Sequence, residues 1–145
     1  MKLDELKEQW ATDCIIDDNH LGEVSTKTPM LHSKYISTAV DMKLKQSKIK
    51  FDLATLKKNK SKWYRGEMSK EELDELNWPQ WQHNKIMKGE MSEVLDADSD
   101  VIILAMKLEY INTIIYMLES ILGQIKSRDF QLKNGIEWKK FIAGN

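Results

Sequence analysis

The chain has 145 residues, of which 41% are hydrophobic and 31% charged, and this composition is that of a single soluble domain. One cysteine, Cys14, excludes an internal disulfide framework and fits a reducing cytoplasm, and the charged residues after Met1 are unlike a secretory signal. The formal net charge of −1 indicates no class of partner until the charges are placed along the chain.

The N-terminal segment predicts a short helix followed by a break. In "MKLDELKEQW" the side chains of Leu3, Leu6 and Trp10 fall on one side of a helix. "IIDDNH" then interrupts the pattern, and Asp17 or Asp18 is suited to cap the element that follows. Because the whole chain contains only two prolines and six glycines, long helices are favoured over a many-turned β architecture.

A long helix is predicted from about residue 29 to residue 65. Thr28 precedes Pro29, a combination typical of a helix cap followed by proline in the first turn. A helix of about 37 residues, or ~55 Å, is too long for a small domain to cover, so it should pack along another long helix or a neighbouring subunit. Its apolar stripe contains a heptad series formed by Tyr35, Met42, Ile49, Leu56 and Trp63. Two further residues fill intermediate places on the same side, Ala39 and Leu53. Four more widen the stripe: Ile36, Val40, Leu44 and Phe51. Lys60 also lies on this stripe, so the stripe is expected to open towards solvent near its C-terminal end.

Shorter elements are predicted between residues 66 and 100. Gly66 ends the long helix, and Ser69 followed by Glu72 forms the capping-box pattern of a short acidic helix. Pro79 indicates a loop in "NWPQWQHN". "KIMKGEMSEVL" predicts another short helix, and "DADSD" ends that helix and caps the next one.

The second long helix is predicted from Val101 to Ile125. This stretch resembles a membrane span, but Lys107, Glu109 and Glu119 would be costly in a bilayer, so we expect a buried helix and no membrane contact. "KSRDF" interrupts the pattern, and "FQLKNGIEWKKFIAG" predicts a final amphipathic helix. The predicted fold class is therefore all-α, with a long helical hairpin-like subunit and short accessory helices.

The sequence contains no recognisable catalytic or cofactor motif. It has neither the glycine-rich phosphate loop of nucleotide hydrolases nor a dinucleotide fingerprint. His20, His32 and His83 have no metal-ligand spacing relative to one another or to Cys14. Acidic runs such as residues 71–75 are more typical of solvated helix faces than of acid–base pairs. We therefore expect a protein that is not an enzyme, with no catalytic residue, no cofactor and no metal site.

The charges are strongly segregated along the chain. Residues 43–65 contain nine basic residues and one acidic residue, a net of +8, whereas residues 66–100 contain ten acidic and three basic residues, a net of −7. Cations at a helical pitch can neutralise phosphates, and aromatic side chains beside them can stack on unpaired bases. Lysine-rich helix faces are also often merely solvated, so both interpretations stay open on composition alone.

If the basic segment binds nucleic acid, six residues near the end of the long helix are the candidate contacts. They are Lys57, Lys58, Lys60, Lys62, Tyr64 and Arg65. Trp63 lies in the heptad register and is expected to be a packing residue, which leaves Tyr64 as the better stacking candidate.

Several short segments occur in a characteristic order along the chain. They are "MKLDEL", "IIDDNHL", "MLHSKY", "KNKSKWYRG", "EMSEVLDADSDV", "IKSRDFQLK" and "FIAGN". No segment is a strong motif by itself, but their order, and their spacing through the first half, resemble the UvsY family of recombination mediators from T-even-type bacteriophages. Residues 68–84 do not match the family well, so Trp78 and Trp81 receive no role from the resemblance.

The resemblance implies a non-enzymatic protein that binds single-stranded DNA as a homo-oligomer. Such a protein helps a RecA-like phage recombinase to displace the phage single-strand-binding protein and to begin a filament, in the cytoplasm of the infected bacterial host. DNA contacts in the family are attributed to a basic pair that corresponds here to Lys58 and Lys60. The family pattern has arginine at position 60, and lysine keeps its charge but loses the planar fork. Lys62 and Arg65 make this segment more basic than the family pattern and are expected as additional contacts.

The resemblance also places self-association in the C-terminal part of the chain. It therefore divides the chain into a DNA-binding region, residues 1–100, and a helical oligomerisation region, residues 101–145. An apolar helix after residue 100 is consistent with subunit contacts, and a closed ring would satisfy these contacts without unlimited growth. The residues expected at the contacts are Ile103, Tyr110, Ile114, Met117 and Ile121.

A second hypothesis keeps the helical assembly and replaces DNA by protein. In it the chain is a non-enzymatic phage assembly or adaptor protein whose basic helix docks on an acidic protein partner. The acidic residues 66–100 of a neighbouring subunit could be that partner.

Overall fold

The structure is a computed structural model that describes residues 1–144; Asn145, which ends the "FIAGN" segment, lies outside the described residues. Those residues form six helices and no strand, which confirms the all-α prediction. The helices are α1 (Leu3–Asp13), α2 (Leu21–Tyr64), α3 (Lys70–Leu76), α4 (Met91–Asp96), α5 (Ser99–Lys126) and α6 (Arg128–Ile142).

The helices group into two compact units. Unit 1 consists of Met1–Lys45 together with the chain from Ile111 onward, and unit 2 consists of Gln46–Tyr110. Both long helices therefore contribute to both units. This structural grouping differs from the boundary predicted at residue 100, whose functional meaning stays a prediction.

Unit 1 is held together by an apolar core from three helices. Leu6 of α1, Tyr35 of α2 and Leu118 of α5 are almost completely buried in it. The remaining core residues are Ala39, Met42, Ile114, Ile115, Ile121 and Ile125. Each such side chain contributes about 1.5–3 kcal/mol when it is fully removed from water, so this cluster is the main stabilising element of the unit.

Asp13, at the end of α1, connects three helices of unit 1. Its Oδ2 accepts hydrogen bonds from Lys34 Nζ at 2.6 Å and from Tyr35 Oη at 2.8 Å, and Arg128 Nη2 donates to its backbone oxygen at 2.6 Å. Burial raises the pKa of Asp13, but the hydrogen bonds from Lys34 and Tyr35 outweigh burial and lower the pKa overall. Asp13 is therefore held as an anion between α1, α2 and α6.

The break before α2 is organised by Asp17, one of the two predicted capping residues. Its carboxylate accepts a hydrogen bond from the backbone N–H of Asn19 at 2.9 Å and contacts His20 Nδ1 at 2.6 Å. Its backbone oxygen accepts from the N–H of His20 at 3.1 Å. This local network turns the chain immediately before the long helix.

α2 begins at Leu21, two turns before the predicted start. Pro29 lies inside the helix, and the predicted cap at Thr28 is wrong, since its Oγ1 instead donates to the backbone oxygen of Val24 at 3.1 Å. Proline removes one helical donor. The first two turns are supported by α6, because a Cβ atom on Gly135 would lie only 3.7 Å from Leu21 Cδ1. Tertiary packing therefore outweighs the local signal at the proline.

Part of the predicted apolar stripe of α2 faces solvent. The heptad residues are buried in unit 1 and half-buried in unit 2, as expected for its central seam. The four residues predicted to widen the stripe are all exposed: Ile36, Val40, Leu44 and Phe51. A residue at the margin of an apolar face is covered only where a second element lies over it, and no element within residues 1–144 covers these four.

The elements after α2 follow the predicted capping signals. Gly66 has a φ of +69° and its N–H donates to the backbone oxygen of Trp63 at 2.9 Å, while the next N–H donates to that of Lys62 at 3.1 Å. Ser69 caps α3, because its side chain accepts from the backbone N–H of Glu72 at 3.2 Å. At the end of α2, Gly66 supplies the left-handed backbone conformation that closes the helix.

The predicted helix over "KIMKGEMSEVL" forms only in its second half, as α4. The backbone N–H of Ile86 donates to the backbone oxygen of Tyr64 at 3.1 Å, which attaches this segment to the end of α2. That N–H is therefore not available for a helix, and the first half of the segment remains a loop.

α5 confirms the second long helix. By length and composition, its 28 residues could cross a membrane. However, Ile114, Leu118 and Ile121 pack in the core of unit 1, and Glu119 forms an ion pair with Lys43 at 3.3 Å. This packing favours a core helix over a membrane span.

Replacement of Met42 by alanine is expected to lower the free energy of unfolding by about 2–5 kcal/mol, because it removes a buried core side chain and leaves a cavity. Met30→Ala is the matched control on the same helix, where the side chain is exposed, and a change within about 0.5 kcal/mol is expected. Urea denaturation followed by helical circular dichroism, at one fixed protein concentration, measures both. Equal destabilisation of the two variants would contradict the described core.

Candidate nucleic-acid interface

The segment expected to bind nucleic acid forms the C-terminal part of α2 and lies in unit 2. Carboxylates of α3, of the turn after α2 and of the N-terminal end of α5 lie beside it in the same unit. These carboxylates belong to the acidic residues 66–100. The basic and acidic blocks of the sequence therefore meet within one subunit.

Lys60 is buried, with 6% of its surface exposed. Its Nζ lies 2.8 Å from Asp100 Oδ2 and 3.2 Å from Asp98 Oδ2, and 4.9 and 4.7 Å from the ring centroids of Trp63 and Trp78. A buried ammonium group requires such partners because its desolvation is costly. The expected opening of the α2 stripe at Lys60 is therefore corrected, and this arrangement does not support the expected contact of Lys60 with DNA.

Tyr64 is also buried, and its Oη donates a hydrogen bond to Asp98 Oδ2 at 2.6 Å. The other carboxylate oxygen, Oδ1, accepts from the backbone N–H groups of Asp100 and Val101 at 2.9 and 3.1 Å and so caps α5. Burial and the bond to Asp98 raise the pKa of Tyr64. The enclosed ring does not support the expected stacking of Tyr64 on bases.

The carboxylate of Asp98 is held as an anion at the centre of this network. Burial raises its pKa, but the hydrogen bonds from Tyr64, from the Val101 N–H and from Lys60 outweigh burial, so the pKa lies below its usual value. One carboxylate thereby joins the end of α2 to the beginning of α5. The sequence analysis identified "DADSD" as a cap but did not predict that its aspartates also neutralise a lysine.

Two more of the predicted contacts are paired at the surface. Lys62 Nζ donates to both carboxylate oxygens of Glu72 at 2.7 Å, and this hydrogen bond lowers the pKa of Glu72. Arg65 Nε lies 3.2 Å from Glu67 Oε2, although without the alignment of a hydrogen bond. Surface ion pairs are weak, so a phosphate group can compete for these two cations.

Lys57 and Lys58 have no carboxylate partner among residues 1–144, and the same holds for Lys48 and Lys50 earlier on α2. Lys58 is exposed and Lys57 is partly exposed. The accessible positive charge of unit 2 is therefore displaced along α2 towards its middle. The expected contacts of Lys57 and Lys58 with DNA stay predictions, and the geometry leaves both side chains accessible.

Trp63, predicted to be a packing residue, is the centre of an aromatic cluster. Its ring centroid lies 5.0 Å from that of Tyr64, 5.9 Å from Trp78 and 4.9 Å from Trp81. Its Nε1 donates to the backbone oxygen of Pro79 at 2.7 Å. The cluster attaches the loop after α3 to α2, and the aromatic residues of "NWPQWQHN" are the sequence signal that could have indicated it.

Three of the residues expected at subunit contacts serve their own subunit. Ile114 and Ile121 are buried in the core of unit 1, and Met117 is partly buried against that core. A side chain enclosed in this way has little surface to offer to a second copy. This burial does not support the expected contact of Ile114 and Ile121 with a partner, and that contact stays a prediction.

The other two expected contact residues are exposed on α5 in unit 2. Ile103 and Tyr110 are 56% and 46% exposed. Ile102 and Met106 lie on the same side of the helix and are exposed as well. We call these four residues the apolar α5 face, and a face of this kind is typical of a protein contact.

No group of histidine, cysteine, aspartate or glutamate side chains within residues 1–144 could hold a metal ion. The described site therefore consists of cations, carboxylates and aromatic rings. These are elements of binding surfaces in which charge and stacking are the relevant interactions.

An all-α protein with a basic helix face and nearby aromatic side chains has the elements of a nucleic-acid-binding protein. A family model described as "Recombination, repair and ssDNA binding protein UvsY" matches residues 9–145. The chain therefore belongs to the UvsY family.

Individual relatives agree with this assignment. The chain is 28% identical over 144 residues to recombination protein UvsY of Enterobacteria phage T4, and the alignment covers 99% of both chains. A crystal structure of the bacteriophage T4 recombination mediator protein UvsY, in lattice type II, is similar with a TM-score of 0.85 and 26% identity, covering 99% of this chain and 98% of that one. The lattice type I structure gives 0.83 and 25%, covering 94% and 98%.

Replacement of Asp98 by asparagine is expected to lower the free energy of unfolding by about 3–5 kcal/mol at neutral pH, because it leaves the Lys60 ammonium buried without its full charge partner. Folding lowers the pKa of Asp98 below its ordinary value of 3.8. The stabilisation of the fold by the Asp98 carboxylate is therefore present above pH 3.8 and is lost as the pH falls below that value. The difference in stability between wild type and variant should therefore shrink below pH 3.8.

Asp96→Asn, at an exposed position, is the control and should show neither effect. Denaturation curves at several pH values test this, and a difference independent of pH would contradict it.

Proposed function

We propose that the chain is a recombination mediator that binds single-stranded DNA as a homo-oligomer and assists the loading of a RecA-like recombinase onto strands covered by single-strand-binding protein. The observation that carries this proposal is the set of lysines on α2 in unit 2 that have no carboxylate partner among residues 1–144. Membership of a recombination, repair and ssDNA-binding family supports it. The proposed place of action is the cytoplasm of the infected bacterial host.

The DNA is held by charge on α2. Lys57 and Lys58 each release counterions when they neutralise a phosphate, which gives affinity without sequence preference. Lys62 and Arg65 can exchange their weak surface carboxylate partners for a phosphate. Binding of this kind requires no catalysis, in keeping with a mediator that is not an enzyme.

Subunit contacts are formed by exposed apolar surface, of which the apolar α5 face is the leading candidate. Ile103, Met106 and Tyr110 are too apolar to be left in water over one continuous helix face. A closed ring satisfies repeated contacts of this kind and repeats one basic helix per subunit. Several weak sites on one particle then bind a long strand with high avidity.

The loading of the recombinase depends on the repeated DNA-binding sites of the oligomer. A strand bound by several subunits is bent or wrapped, and this geometry loosens the single-strand-binding protein that covers it. The recombinase then begins its filament on the exposed DNA. The role of the protein is therefore to change the state of the strand by binding alone.

The double replacement Lys57→Ala and Lys58→Ala should weaken binding to a fluorescently labelled oligonucleotide. The slope of log affinity against log salt should decrease in magnitude by about 0.7 for each phosphate that is no longer neutralised. Lys70→Ala with Lys107→Ala is the matched control, since both lysines are exposed in unit 2 but lie outside α2. Fluorescence anisotropy at several salt concentrations measures both variants. An unchanged slope in the α2 variant would contradict the site, and a wild-type oligomer that does not retain DNA at moderate salt would favour the adaptor hypothesis.

Met106→Asp should dissociate the oligomer, because a charge in the centre of an apolar contact must be desolvated without a partner. The helical content of the subunit should stay unchanged, since Met106 is 67% exposed. Gln124→Asp adds the same charge at another exposed position of α5 and should leave assembly intact. Light scattering gives the mass of each variant. A variant at Met106 that assembles like wild type would show that the subunit contact lies elsewhere.

A further inference from the structure

Phe51 stands out on α2 because it is a large aromatic side chain that is 74% exposed. Among residues 1–144 it has no aromatic or cation–π contact. The sequence pattern assigned it to the margin of an apolar stripe, where a packing role was expected. Its exposure therefore shows that the ring is not packed in a core formed by residues 1–144.

The neighbours within one turn of Phe51 are mainly basic and polar, with Asp52 the one carboxylate beside it on α2. Leu44, two turns before Phe51 on the same side, is an exposed apolar residue. Lys48 lies one turn before it, Thr55 one turn after it and Lys58 two turns after it, all on the same side of the helix, and all three are exposed. Lys50, which directly precedes Phe51 in the sequence, is a further exposed cation. None of these lysines has a carboxylate partner among the described residues.

These neighbours determine which partner suits the ring. An apolar protein surface that covered Phe51 would also remove water from Lys48 and Lys58, at a cost that it could not offset. An unpaired nucleic-acid strand offers both complements, because its bases stack on flat rings and its phosphates neutralise lysines. Lys48 and Lys58 are separated by ten residues, or ~15 Å along the helix, a distance that spans several nucleotides.

We propose that Phe51 is a base-stacking residue for single-stranded DNA, flanked by Lys48, Lys50 and Lys58 as phosphate contacts. This inference deepens the proposed function and depends on it. The centre of the proposed interface then lies around Phe51 and not at the C-terminal end of α2. The predicted stacking residue, Tyr64, is enclosed by its own subunit, and Phe51 takes that role at an accessible position.

The test compares two labelled oligonucleotides of equal length and charge, one of thymidines and one abasic, so that only the first can stack. Phe51→Ala and Phe51→Leu should each weaken binding to the thymidine strand about 5- to 150-fold, the range expected when one base no longer stacks on a ring. Both should bind the abasic strand like wild type. Phe51→Tyr retains a flat ring and should keep wild-type affinity for both strands. Lys58→Ala is the comparison variant and should weaken binding to both strands equally, since it removes a cation that neutralises a phosphate.

Three results would overturn the proposal. The first is an equal decrease in affinity for both strands, and the second is full retention of binding by Phe51→Leu, which would show that apolar contact suffices. The third is a change in the mass of the Phe51 variants by light scattering, which would make this ring a subunit contact. If the lysine variants bind more weakly and the Phe51 variants do not, the stacking residue alone is wrong. If wild type retains neither strand, the proposed function itself fails.

Discussion

The arrangement of unit 2 depends on one buried carboxylate, that of Asp98. It accepts a hydrogen bond from Tyr64, forms an ion pair with Lys60 and caps the N-terminal end of α5. Each of these groups would be costly to bury without a partner, and together they satisfy one another. The end of the basic helix is therefore attached to the beginning of the second long helix by polar interactions, with an aromatic cluster around Trp63 packed beside them.

This network also decides where positive charge remains accessible. The acidic residues that follow α2 neutralise Lys60 and pair with Lys62 and Arg65, whereas the lysines from position 48 to position 58 have no such partners among the described residues. The segregation of charge along the sequence is thus partly cancelled in space. What remains is a shorter basic surface on the outer side of α2, with an exposed aromatic ring in its middle. For a family that binds single-stranded DNA, this combination links the packing of unit 2 to the location of the proposed interface.

The second long helix illustrates the same separation of roles. Along α5, Ile114, Leu118 and Ile121 fill the core of unit 1, while Ile103 and Met106 face solvent in unit 2. A strongly apolar helix can therefore serve both its own subunit and a neighbouring one in different parts of its length. The exposed part is the portion available for assembly, which relates the unusual hydrophobicity of this helix to the proposed oligomer.

The sequence by itself determined the helical class, the two long helices, the caps at Ser69 and Gly66 and the break at Asp17, because these depend on local periodicity and on backbone chemistry within a few residues. It could not determine the start of α2, since Leu21 is supported by Gly135, which is more than one hundred positions away. Nor could it separate Lys58 from Lys60, or Ile103 from Ile114. Residues of the same type in the same helix differ only in what lies opposite them, and that partner is supplied by another part of the chain. Tertiary structure alone therefore decided which charges are neutralised and which apolar side chains are exposed.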